Sequence, residues 1–240
     1  MSIHRGATLL QHRPLNFTDD FVAADSFEDG SGLHVESGIV VNLSSDRLII
    51  DDAIKTSIAP WRSAMLSKAT IEQSGRIAVL KVCKTVDLGG VVFRGWDWLG
   101  NRIRSFPRQT PLFISPQDTF GEVELDPLFF SGDVAVERQL RRFVLKLNLW
   151  WSPAETDCFI HDNHPFLEVH PQIFGTGRMQ KFRENDQATL YQDVLMAPGF
   201  THEAFCRVSG TNQWKYPWHR YFADTDAVWL AIEPHPDQLS

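Results

Sequence analysis

The sequence predicts an all-β fold, on three observations. Its apolar runs are short and alternate with a period of two, Gly, Pro and Asp punctuate them, and helical stripes at i, i+3 and i+4 are scarce. In the first half, strands are predicted at 38–43 and 47–51, where β-branched and Leu side chains follow one another between turn residues. Further strands at 65–72, 76–84, 91–98 and 111–114 are each apolar and each bounded by Gly, Pro or Ser. In the second half the strand at 139–151 carries the clearest alternation, with Phe143, Leu145, Leu147, Leu149 and Trp151 on one phase. Segments 158–162, 166–174, 178–182, 188–195, 203–208 and 227–233 complete the set, and only 52–63 and 133–139 read as short helical turns.

A chain of 240 residues with 43% apolar content can bury a sizeable core as one large domain or two similar smaller ones. Residues 1–35 are Asp-rich and poorly periodic and read as an arm, and 106–128, rich in Pro, Gln and Asp, reads as a connector. The expected division is therefore an N-terminal β-rich half, 1–125, and a C-terminal barrel, 126–240. The echo of Ser74-Gly75-Arg76 in Thr176-Gly177-Arg178 leaves an internal duplication open.

Charge and cysteine usage exclude several classes. A net charge of -7 argues against a phosphate backbone or an anionic membrane surface as main partner. The basic clusters Arg102, Arg104, Arg108 and Arg138, Arg141, Arg142 are not interleaved with stacking aromatics in a nucleic-acid motif and read as solvated faces. Three cysteines without CxxC spacing fit a reducing compartment, so the expected location is cytoplasmic. The first residues lack the apolar stretch of a signal peptide, and no segment approaches the ~20 apolar residues of a membrane span. Gly-x-Ser-x-Gly elbows and Walker loops are absent, and Gly175-Thr176-Gly177 reads as a β-turn rather than a dinucleotide loop.

Metal-capable side chains concentrate in one stretch. Four of the nine histidines, His161, His164, His170 and His202, fall between 161 and 202, together with Asp162 and Glu168. Alternate residues of a strand share a face, so Asp162 with His164, and Glu168 with His170, can point into one interior if a turn at Pro165 separates two strands. His202 follows the Ala197-Pro198-Gly199 turn and enters from a third strand. Gln172, beyond His170 on the same phase, and Gln180 and Tyr191 are candidate substrate groups, and Cys206 lies near the proposed ligands. His219, in Tyr216-Pro-Trp-His-Arg-Tyr, fits either a barrel mouth or a surface aromatic cluster.

These residues resemble the cupin superfamily. His164, three residues, Glu168, six residues and Gly175 follow its first motif, and Asp193 through Pro198-Gly199-Phe200-Thr201-His202 looks like its second. Asp162 stands where that family has the first His of a pair, and Cys206 where an Asn often follows the last. The resemblance covers roughly 140–233 and implies a jelly-roll β-barrel there, and whether the first half holds a degenerate second cupin besides its arm stays open. It implies that His164, Glu168 and His202 ligate a divalent metal. The remaining place stays open between Asp162 in register, His161 if the strand is bulged, and His170. Fe(II) leads among the metals the resemblance implies, with Mn, Ni, Co and Zn as alternatives. The activity implied is an Fe(II)-dependent oxygenase acting on a small-molecule substrate, with His170 or Gln172 steering or deprotonating it. The alternatives are a redox-neutral isomerase or decarboxylase, and a non-catalytic binding barrel. A homodimer, and no nucleic-acid or membrane partner, complete the expectation.

Overall fold

The structure is a computed structural model that describes residues 12–85, 87–128, 139–208 and 213–237. Its first strands are β1 (His12–Pro14), β2 (Val22–Phe27), β3 (His34–Asn42), β4 (Leu48–Ile50), β5 (Ser57–Ile58), β6 (Ser63–Gln73) and β7 (Ile77–Val82). They form a seven-stranded antiparallel sheet in the order β1-β2-β7-β3-β6-β4-β5. The chain continues through α1 (Leu88–Phe93), β8 (Asp97–Trp98), β9 (Phe113–Ile114), β10 (Asp118–Leu125), β11 (Arg141–Ser152), β12 (Thr156–Asp157), β13 (Gln172–Phe174), β14 (Gly177–Phe182) and β15 (Leu190–Met196). It ends with β16 (Arg207–Val208), β17 (Trp214–Lys215), β18 (Trp218–Ala223) and β19 (Ala227–Pro236).

β11 is the spine of the second half because its two phases do different work. Phe143, Leu145, Leu147, Leu149 and Trp151 share one buried cluster with Val228, Leu230 and Ile232 of β19 and with Val22, Ala24, Ile39, Val41 and Leu80 of the first sheet. At about 1.5–3 kcal/mol for each large apolar side chain buried, this cluster is the main force holding the two halves together. The opposite phase supplies Trp150 and, across the ladder, Trp229, which pack with Met179, Tyr221 and Ala223. Tyr221 stacks on Trp229 at 3.9 Å. The sheet β13-β19-β11-β9-β8, joined by β10, is thus sandwiched between the seven-stranded sheet and the four-stranded sheet β12-β18-β14-β15.

Several expectations need correction. Segment 91–98 begins as helix α1 rather than strand: the Asp87 side chain accepts from Gly90 N at 2.7 Å as an N-cap, and Gly95, at φ 74°, ends the turn. Segment 52–63 is no helix, because Asp52 Oδ1 accepts from Ile54 N and Thr56 N and closes a turn that leads into β5. The predicted turn at 133–139 lies outside the described residues except for Gln139.

β9 and β10, which fall within the expected connector, pair with β11, so that part of the connector is sheet. The N-terminal arm lies outside the described residues up to 11, and beyond that β1 and β2 pair into the first sheet. Arg13 clamps it there by donating from both Nη atoms, at 2.7 Å each, to the fully buried Asp118 carboxylate at the start of β10. Among the described residues no helix is long and apolar enough to cross a membrane.

Candidate metal centre

The site forms between β18 and the chain that precedes β13, and a backbone irregularity decides which residues enter it. β12 pairs Thr156 with Ala223 and Asp157 with Phe222, so an unbroken ladder would set residue 160 opposite His219. Instead His161 is bridged to His219, with N–H to O=C bonds of 2.9 and 2.8 Å in the two directions. One extra residue has been taken up, and Phe159, in the left-handed region at φ 56°, marks where. The shift turns His161 onto the face of His219, with their rings 4.4 Å apart.

His164 follows in a loop fixed by Trp214, whose indole N–H donates to the His164 carbonyl at 3.1 Å. Its Nε2 lies 3.1 Å from His219 Nε2, and the ligand-capable nitrogens of His161, His164 and His219 all fall within 4.8 Å of one another. Glu168 reaches the same place from the segment bridged to β19 by Val169 and Ile232. Its backbone N–H donates to Tyr216 Oη at 2.9 Å. Its Oε1 is 3.1 Å from His164 Nε2 and 3.4 Å from His219 Nε2, yet is buried without a hydrogen bond.

The tautomers explain that orphan oxygen. His161 and His219 place Nδ1 at 3.1 and 2.8 Å from the carbonyls of Phe159 and Pro217, which can only accept. Nδ1 therefore carries the proton in both neutral rings, and each Nε2 presents a bare lone pair. Burial favours the uncharged ring at His161 and at His164, pushing the first down to about 3 and the second down to about 4. Burial alone would raise the Glu168 carboxyl, but the imidazoles of His164 and His170 outweigh it and hold the group well below its ordinary range. Toward His219 the carboxylate instead faces an unprotonated Nε2 at 3.4 Å, a repulsive contact in a buried site that a cation reverses. Three imidazole nitrogens and one carboxylate oxygen fit a borderline divalent ion.

A second histidine pair lies on the other side of Glu168. His170 Nε2 is 3.4 Å from Glu168 Oε2, and His170 Nδ1 is 3.1 Å from His202 Nε2. His202 Nδ1 lies 2.8 Å from the Glu203 carbonyl, so its Nε2 is the accepting atom, and the His170 backbone N–H donates to it at 3.1 Å. The reason His202 sits there is the first sheet. Ser63 Oγ donates to the Gly199 carbonyl at 2.8 Å, and Arg62 Nη1 donates to the His202 carbonyl at 3.1 Å, so the turn is docked on β6. Gly199 is required, since at φ 90° a Cβ would stand 2.7 Å from Met65 N.

Of the expected ligands, the structure thus gathers His164 and Glu168 with His161, and adds His219 where the motif spacing puts His202. Asp162 contributes no oxygen to the three-imidazole group. Gln172, expected to be catalytic, has both ends engaged: its Oε1 accepts from Tyr221 Oη at 2.7 Å and its Nε2 donates to the Phe174 carbonyl at 2.8 Å.

Gln180, expected in the pocket, pairs with Arg220 on the face of β14 opposite Lys181 and its cross-strand partner His219, where Arg220 Nε donates to it at 2.8 Å. Tyr191 is exposed on edge strand β15, with Arg183 over its ring. Cys206 is buried beside Tyr216, and burial pushes its thiol up to about 12.

Lys181, which sequence reasoning passed over, is the cross-strand partner of His219, with Nζ 4.5 Å over the Phe205 ring. Its burial lowers its pKa against the pull of Glu203. A parity signal for both was present: His219, Tyr221 and Ala223 alternate on one phase of β18 as Met179 and Lys181 do on β14.

No family model and no curated protein matches the sequence. Among solved structures, a cupin 2 conserved barrel domain protein from Leptotrichia buccalis aligns over 94% of this chain and 88% of its own, at 9% identity and a TM-score of 0.29. A protein of unknown function of the DUF861 family from Pseudomonas syringae pv. tomato aligns over 92% and 86%, at 13% identity and 0.28. Oxalate decarboxylase from Bacillus subtilis aligns over 90% and 68%, at 10% identity and 0.30. Superpositions at these scores carry no inference about chemistry, which has to come from the chain's own residues.

Proposed function

We propose that this chain is a mononuclear metal-dependent enzyme of cupin type. It holds one divalent ion on His161, His164, Glu168 and His219, and it oxidises a small organic molecule with Fe(II) and O2. The observation that carries the reading is the buried Glu168 Oε1, without a hydrogen bond, 3.4 Å from the unprotonated Nε2 of His219 and beside His164. When bound, iron in such a donor set supplies Lewis acidity and one-electron chemistry with O2.

The chain's own groups do the rest. Phe205 and Tyr216 lie 4.9 and 5.5 Å from the His219 ring and keep water from that side. His170, held between His202 and Glu168 Oε2, fixes the carboxylate's orientation. Lys181 places a cation on the strand pair that carries His219 and is suited to steering an anionic group toward it.

Elemental analysis of protein purified with and without O2, followed by an oxygen-electrode assay of the iron-loaded form, tests the reading. The expected result is about one equivalent of metal per chain, with substrate-dependent O2 uptake. Turnover of a substrate without O2 uptake would replace the oxidase by a redox-neutral isomerase or decarboxylase on the same ligands. Sub-stoichiometric binding of every first-row divalent metal would overturn the metal centre itself.

A further inference from the structure

A cavity of about 670 Å³, separate from the imidazole group, is lined by Trp98, Gly100, Arg104, Phe106 and Arg108. A smaller hollow of about 270 Å³ shares Trp98 and Arg108 with it. The larger volume lies within the range of about 300–1,000 Å³ that holds small molecules. Its aromatic wall is held in place. Trp98 Nε1 donates to the Thr110 carbonyl at 2.9 Å, and its ring lies against Gly100 so closely that a Cβ there would be 2.1 Å from it. Phe106 meets Trp98 edge-on at 6.1 Å.

The two arginines differ from their neighbour. Arg102 is paired with Asp97 at 3.5 Å, whereas Arg104 and Arg108 make no ion pair and no side-chain hydrogen bond among the described residues. Two uncommitted guanidiniums on the wall of a cavity, in a chain of net charge -7, mark a place built for an anion. Fixed aromatic faces beside them add a preference for a flat ring.

We infer that this cavity binds an aromatic carboxylate, its ring against Trp98, which Phe106 backs from the core, and its carboxylate on Arg104 and Arg108. The cavity also has a physical connection to the imidazole group. Phe106 meets Phe159 at 5.3 Å, and Phe159, the residue at the ladder shift, meets the His161 ring at 5.0 Å. The inference does not depend on the metal reading, because none of the cavity's groups belongs to the ligand set.

Titration of the intact protein with 2-naphthoate, followed by calorimetry and tryptophan quenching, tests it. Binding is expected to weaken at least about tenfold with neutral 2-naphthalenemethanol and in the R104Q/R108Q double variant. Both arginines are exposed, so the fold should survive their loss, and an unchanged melting temperature checks that. Trp98→Phe should remove most of the quenching, and His164→Ala should leave the affinity as it was. The inference is overturned if the wild-type chain shows no binding at millimolar naphthoate, if the alcohol binds as tightly as the acid, or if R104Q/R108Q binds normally. Loss of binding in a folded His164→Ala variant would also overturn it, by moving the ligand to the imidazole group.

Discussion

Two histidine groups flank one carboxylate, and they differ in where their lone pairs go. On one side, His161 and His219 spend Nδ1–H on carbonyls, and Nε2 of His219 turns to His164 Nε2 and Glu168 Oε1. On the other, His202 Nε2 is spent on the His170 backbone N–H. On the proposed reading, hydrogen bonding separates ligands from supports among identical side chains. Counting histidines in a sequence cannot make that division.

The sharpest break of this comparison is to remove one histidine from each side. His219→Ala should lower metal affinity by well over about 100-fold, because losing an outer partner alone costs about 10–100-fold. His202→Ala should keep about one equivalent of metal while destabilising the fold by about 1–3 kcal/mol, since it strands the buried His170 N–H. Elemental analysis and urea denaturation of the two variants read both effects. Metal loss in H202A with retention in H219A would invert the assignment.

The next effect concerns the carboxylate. Glu168→Gln should abolish stoichiometric metal binding and yet raise the stability of the metal-free protein by about 0.5–1.5 kcal/mol. The amide can donate to the bare nitrogens that the carboxylate only repels. Apo-protein melting curves measure this, and a destabilised apo variant would mean the imidazoles already donate to Glu168.

Metal removal is the third test. A chelator should lower the melting temperature of the wild-type chain, by an amount equivalent to about 2.7 kcal/mol when the metal had been present at 100 times its dissociation constant. The same treatment should leave H219A unmoved. The smallest effect is expected at Asp162, where Asp162→Ala should leave metal stoichiometry unchanged. A large loss there would restore the in-register reading of the strand and remove the importance of the ladder shift at Phe159.

Much of the architecture was legible because alternation is a local property. β11 shows the alternation most clearly, while β3 and β19 carry continuous apolar runs, and both signals are expressed by neighbouring residues alone. β10 was missed where its phase breaks: Phe120 and Val123 are both buried although three apart, because the register shifts between Thr119 and Gly121, with Gly121 at φ 121°. β18 was missed because Trp218-His219-Arg220-Tyr221-Phe222-Ala223 carries polar and aromatic groups on both phases, each buried against a different layer.

By itself the sequence determined an all-β chain, the crowding of metal-capable side chains after residue 160, and a His164–Glu168 spacing that the structure brings to 3.1 Å. Whether His161 or Asp162 faces that pair depended on one inserted residue, and a single-residue shift turns a side chain to the opposite face of a ladder. The entry of His219 and the withdrawal of His202 were decided only in three dimensions. Cross-strand pairing brings together His161 and His219, 58 positions apart, in one case, and docking of a turn on another sheet holds the ring in the other. Neither interaction leaves a periodic trace in the chain that makes it.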